Sequence, residues 1–97
     1  MSDLDSALAA ASHRFRERAG ADRVQLHAAA ASEDLAVLGQ VAHRLAGTAG
    51  LYGYRAAGQA AEALEMIVLR TGSLTPEVLE ALYRLCLELD EIGEKEV

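Results

Sequence analysis

The sequence predicts an all-α fold: an antiparallel four-helix bundle with an extra short N-terminal helix or a bent first helix. Three observations carry this. Hydrophobic residues make up 52% of the 97 residues, yet Phe, Tyr and Trp together make up only 4%. Alanine and leucine supply the difference, and they favour helix, whereas strands select β-branched and aromatic side chains. Apolar residues recur three and four apart over several segments, the repeat of a helix with one buried face. Cap-forming and glycine positions divide those segments at intervals suited to short connections, which make neighbouring helices antiparallel around one core.

The elements follow in order. A first helix is expected over about 4–18, with Leu4, Leu8, Ala11 and Phe15 as its apolar stripe and Gly20 as a C-terminal stop. A shorter helix over about 21–31 would turn Val24, Ala28 and Ala31 inward, with Leu26 and His27 less defined; these two helices are equally readable as one bent helix. Ser32 is placed as an N-cap with Glu33 and Asp34 in the following first turn, where negative charge suits the helix dipole. The helix it opens runs to about 52 through Leu35, Leu38, Ala42, Leu45, Ala49 and Tyr52, and Gly53 marks a tight turn. The next runs from 54 or 55 to about 70 through Ala57, Ala60, Leu64 and Ile67, and Gly72 stops it. Thr75 as N-cap and Pro76 at the first helical position open the last helix. Its core face is Val78, Leu82, Leu85, Leu89 and Ile92.

Net charge is −6, which disfavours a phosphate backbone as partner. The one basic cluster, Arg14, Arg16 and Arg18, is interrupted by Glu17. No apolar run is long enough to span a bilayer and no signal-peptide pattern is present. A single cysteine, Cys86, cannot form an internal disulfide and fits a reducing cytoplasm, with Leu85 and Leu87 beside it suggesting a buried packing thiol. Residues 1–97 read as a single domain, either a stand-alone protein or a domain excised from a longer chain, and as a monomer, since no second apolar stripe is evident.

The informative stretch is "VAHRLAGTAGLYGY", 41–54. It carries three glycines in a chain of strong helix formers, although each interior glycine costs a helix about 1 kcal/mol against alanine. On a wheel of about 100° per residue, His43 falls roughly 130° from the core seam and faces outward. Its neighbours on the helix surface are the residues three, four and seven away. They are Gly39, Ala46, Gly47 and Gly50, with Gln40 alone having bulk. The helix is cleared around one exposed imidazole, as a docking protein or a phosphoryl group would require. Close packing of two helices also selects small residues, and Gly47 or Gly50 could serve that instead.

These residues resemble the histidine-containing phosphotransfer (HPt) domain of bacterial phosphorelays. The family pattern is a helical His, a Leu two on, a Lys-Gly pair, a second Gly about ten after the His, and a Leu-Glu in the next helix. Here these are His43, Leu45, Gly47, Gly53 and Leu64-Glu65. The upstream "RFRERAGADRVQLHAAAASEDLAVLGQ" matches the preceding helix pair in rhythm. Ala46 stands where the family has its lysine. Arg44 and Arg55 are the nearest basic residues in sequence, and Arg14, Arg16 or Arg18 could reach the site from the first helix.

The resemblance implies a phosphoryl group accepted on His43 from an aspartate of a response-regulator or hybrid-kinase receiver domain, then passed to another receiver. Gly39, Gln40, Arg44, Ala46, Gly47 and Gly50 would support or dock the partner. Mg²⁺ would come with that partner. The chain itself has no P-loop, nucleotide motif or evident metal cluster, so no cofactor of its own is expected and no ATP-dependent kinase activity. The alternative is an HPt-like or other helical adaptor that binds without phosphotransfer. The dimerisation domain of a histidine kinase is disfavoured by Arg44 after the histidine and by the lack of a nearby proline. His13 and His27 have no partner at metal-ligand spacing. Tyr52 falls on the core seam, whereas Tyr54 at the turn could equally touch a partner.

Overall fold

The computed structural model describes residues 3–94, of which Glu94 is described by its backbone alone. Four α-helices occupy this span: α1 Asp3–Ala31, α2 Leu35–Ala49, α3 Arg55–Thr71 and α4 Pro76–Glu94, with a single 3₁₀ turn, Gly50–Tyr52, following α2. Each helix packs on the next and α4 closes back on α1, so the four surround one core; α2 and α3 make the most extensive pairing. Leu26, Leu38, Leu45, Leu64, Leu85 and Leu89 lie at its centre with almost no exposure.

The two expected N-terminal helices are one. Gly20 does not stop α1, which continues past it for eleven residues to Ala31. An isolated glycine costs a helix little enough for flanking alanines and tertiary packing to override it. At 29 residues α1 is about 43 Å long, whereas the 15 residues of α2 span about 22 Å. The N-terminal part of α1 therefore has no neighbour to pack on. Leu4 is 67% and Leu8 51% exposed, contrary to the core role expected of them, and Ala11 is half-buried.

Further along α1 the buried face is Phe15, Ala19, Asp22, Leu26 and Ala29. Val24, Ala28 and Ala31, expected inside, are exposed. Alanines on every side of α1 leave its phase undetermined, and a carboxylate takes a core position that a hydrophobic pattern cannot anticipate. Phe15 anchors this end of the bundle against Tyr52 and Tyr54, with ring centroids 5.7 and 5.4 Å away. Tyr54 thus packs inward, half-buried.

Ser32 is not an N-cap. Its hydroxyl donates to the carbonyls of Ala28 and Ala29, closing α1, and Glu33 takes a left-handed conformation at φ 54°. The Glu33 N–H then donates to Ala30 O and the Asp34 N–H to Ala29 O, the paired hydrogen bonds of a Schellman ending. Asp34 is the cap of α2, its carboxylate accepting the Val37 N–H at 3.1 Å. Serine and aspartate are both good caps; the chain reversal selects the one two residues on.

The remaining punctuation follows the sequence. Gly53 and Gly72 are left-handed, at φ 87° and 66°, where a side chain would be strained. Thr75 Oγ1 accepts the Val78 N–H at 3.2 Å. All five residues expected on the core face of α4 are buried, together with Ala81 and Cys86. In α3, Ala57 and Leu64 are buried as expected, but Ala60 and Ile67 are half-buried and Gly58, Ala61 and Val68 are buried instead. Burial pushes the Cys86 thiol upward from its ordinary range, which keeps it protonated and unreactive.

One expectation about the surface is corrected. Leu79, Tyr83 and Leu87 of α4, spaced four apart, are 47%, 63% and 48% exposed, a second apolar stripe away from α2. Among the described residues no helix is long and apolar enough to cross a membrane.

Candidate functional site

Capping by Asp34 sets the start of α2 and burial of Leu38, Val41, Ala42, Leu45 and Ala49 sets its rotation. Those two constraints turn His43 outward at the edge between α2 and α3, with its side chain 76% exposed. Across that edge, burial of Leu64 and Val68 sets the rotation of α3 and leaves Glu65 at its rim, facing the histidine.

Glu65 Oε2 lies 2.7 Å from His43 Nδ1, and the carboxylate is itself 24% exposed. A carboxylate only accepts hydrogen bonds, so Nδ1 carries the proton and the lone pair of the neutral ring is on Nε2. The ring is held by one nitrogen and presents the other. This contact is what sequence reasoning missed. Leu64-Glu65 belonged to the quoted pattern, but 22 residues separate the partners and no periodicity links them.

The small residues around His43 divide into two kinds. At Gly47 and Gly50 an added Cβ would meet nothing within 4 Å, so these positions face open space. Gly39 is different: a Cβ there would touch Val68 Cγ1 at 3.8 Å, ordinary packing against α3. Gly58 of α3 is the tight point. A Cβ on it would stand 3.3 Å from Gly50 N and 3.7 Å from Ala46 O. The tightest approach of α2 and α3 is thus borne by Gly58, and Gly47 and Gly50 stay free on their outer side. Gln40 and Gly39 line an open groove that continues from His43 along Glu65 to Leu69, which is 77% exposed.

Arg44 is not available to this face. Its Nη2 donates to Asp22 Oδ1 at 2.7 Å and its Nη1 to Oδ2 at 3.4 Å, toward α1 on the other flank of α2. Asp22 is only 2% exposed, and Arg18 approaches the same carboxylate at 3.8 Å. Burial of a charge is tolerated because a two-pronged guanidinium satisfies it. Asp22→Asn, leaving the part-exposed Arg44 without its counter-charge, is expected to cost about 1–3 kcal/mol, read as a fall in Tm on thermal unfolding with the helical content unchanged at 25 °C.

The other basic candidates lie on α1 and at the start of α3, and Arg14 is exposed. Arg16 donates to Ser12 Oγ and Arg55, at the start of α3, is exposed. His13 pairs with Glu17, and His27 lines an open groove with Leu79 and Tyr83 on the α1–α4 side. Among the described residues no group of three or more His, Cys, Asp or Glu side chains is placed to hold a metal ion.

No curated protein and no solved structure gave a significant match to the chain. A model of the Hpt domain matches residues 6–95, from within the overhang of α1 past the end of α4. An outward histidine on α2, oriented from α3 inside a four-helix bundle, lies within a match covering nearly the whole sequence, and the chain belongs to the Hpt domain family.

Proposed function

We propose that this chain is a phosphoryl carrier in a signalling phosphorelay and that His43 Nε2 is the atom that carries the group. The observation supporting this most directly is the 2.7 Å contact of Nδ1 with Glu65 on an imidazole that is 76% exposed. It supplies an oriented nucleophile with the correct nitrogen free.

In the forward step the Nε2 lone pair attacks the phosphorus of an aspartyl phosphate on a receiver domain. The P–O bond to the aspartate breaks and the carboxylate leaves with the electron pair. The ring keeps the proton on Nδ1, and Glu65 stabilises the positive charge it gains. Return to a second receiver aspartate reverses these bond changes. Positioning and electrostatics dominate phosphoryl transfer. Mg²⁺ belongs to the receiver in this scheme; the present chain contributes the nucleophile, its orientation and an unobstructed face. We place the protein in the cytoplasm with its receivers.

A panel of phosphorylated receiver domains tests this. The expected product is an acid-labile, base-stable label on this chain. Ala46 favours a second reading, a binding adaptor, because the family lysine is missing; binding of a receiver by the folded chain with no label from any of them would select it.

Gly47→Leu separates docking from folding. With open space around position 47 and leucine the better helix former by nearly 1 kcal/mol, Tm should hold or rise slightly. The transfer rate should fall at least tenfold, because a leucine one turn from His43 blocks the receiver. Transfer at the wild-type rate would refute the cleared-surface argument.

A further inference from the structure

We propose that the face formed by α1 and α4, on the side of the bundle away from His43, pairs with the same face of a second copy of this chain. The pairing is independent of what His43 does, since that residue lies on the α2–α3 edge and reaches across to Glu65.

Leu79, Tyr83 and Leu87 form an exposed ridge along α4. Beside it on α1, Val24, His27 and Ala31 are exposed as well, three and four residues apart. Two contacts fix the level of one helix against the other. Arg23 Nε donates to Asp90 Oδ1 at 2.7 Å, and His27 and Ala31 line one open groove with Leu79 and Tyr83. Val24 is thereby level with Leu87, and Ala31 with Leu79. The result is one mostly apolar face, two helices wide, with a ridge about 12 Å long. Contiguous apolar surface of this kind marks an interaction site, whereas scattered exposed residues do not.

Charge chooses the occupant. From Arg14 to Arg23, α1 carries four arginines against two carboxylates; from Glu77 to Glu91, α4 carries five carboxylates against one arginine. A two-fold axis parallel to the helices and centred over the groove lays α1 of each copy on α4 of the other. The more basic helix then meets the acidic one in both halves of the interface. Laying α4 on α4 would set like charges together, and ridge against ridge. Shape agrees with charge. Ala28, Ala30 and Ala31 keep α1 low where the leucines and tyrosine of the second copy would seat. The axis leaves each residue at its own level, so Val24 of one copy meets Leu87 of the other. Both His43 faces point away from the interface and stay open.

Sedimentation equilibrium tests this. A face of this extent is at the small end of specific interfaces, so the dissociation constant should be on the order of 10–100 µM. Between about 5 and 500 µM the wild-type mass should therefore rise from 10.3 kDa toward twice that value. Tyr83→Glu should weaken association at least about tenfold. Its helical content and its unfolding at the dilute end should match wild type, because the side chain is 63% exposed. Val24→Glu and Leu87→Lys should each weaken association in the same way. An equimolar mixture of those two variants should associate about tenfold more tightly than either alone, because the introduced opposite charges then face each other in one half of the interface.

A wild-type protein that stays at 10.3 kDa throughout overturns self-pairing and leaves the face to a different partner. Self-association that Tyr83→Glu does not weaken places the interface elsewhere and overturns the proposal. A mixture no tighter than its components overturns the pairing of α1 with α4.

Discussion

His43→Gln is expected to abolish label from every phosphorylated receiver while leaving unfolding within about 0.5 kcal/mol of wild type. The side chain is 76% exposed, and exposed substitutions rarely move stability by more than that. Glutamine keeps a polar group near Glu65 and supplies no nucleophilic nitrogen lone pair. The measurement is transfer from a labelled receiver, with circular dichroism and thermal unfolding on the same preparation. A folded His43→Gln protein that still takes up acid-labile label would move the site away from α2, since His13 and His27 are the remaining histidines and both lie on α1.

Gly58→Leu is expected to destabilise the bundle by about 2 kcal/mol, a fall in Tm of about 10 °C for a domain of this size. The cause is geometric. The first carbon of the new side chain stands 3.3 Å from the backbone nitrogen of Gly50, and backbone cannot swing aside as a flexible side chain does. The rest of the leucine must separate α2 from α3, which outweighs the better helix propensity at this position. Gly50 is seven residues after His43 and shares its face, so separation also draws the imidazole away from Glu65. Phosphoryl acceptance should fall together with stability. Gly47→Leu provides the contrast, with the same change in chemistry and no loss of stability. Equal Tm values for Gly58→Leu and wild type would show that the two helices have room to spare.

The helical class, the caps at Thr75-Pro76, the turns at Gly53 and Gly72 and the core face of α4 were all legible in the sequence. Each depends on contacts within about one turn, or on a strong apolar repeat that only one face satisfies. The outward direction of His43 was legible for the same reason, because Leu38, Ala42, Leu45 and Ala49 admit a single phase.

Elsewhere the local signal was ambiguous. Alanines around α1 permit several phases, so the choice of Ala19, Asp22, Leu26 and Ala29 over Val24, Ala28 and Ala31 came from packing. Both Ser32 and Asp34 could cap, and the geometry of the reversal at Glu33 decided between them. Leu4 and Leu8 have the spacing of a core stripe but lie beyond the ends of the shorter helices that could cover them.

The sequence by itself determined a helical bundle of this length and an imidazole set among small residues on its surface, because spacing along one helix is enough to establish both. Only the tertiary structure decided that Glu65 orients that imidazole, that Asp22 removes Arg44 from it and that Gly58, rather than the glycines of α2, takes the close contact. Each of these is a meeting of two helices, and the depth, rotation and offset of one helix against another are set by the packed core, not by the order of residues within either.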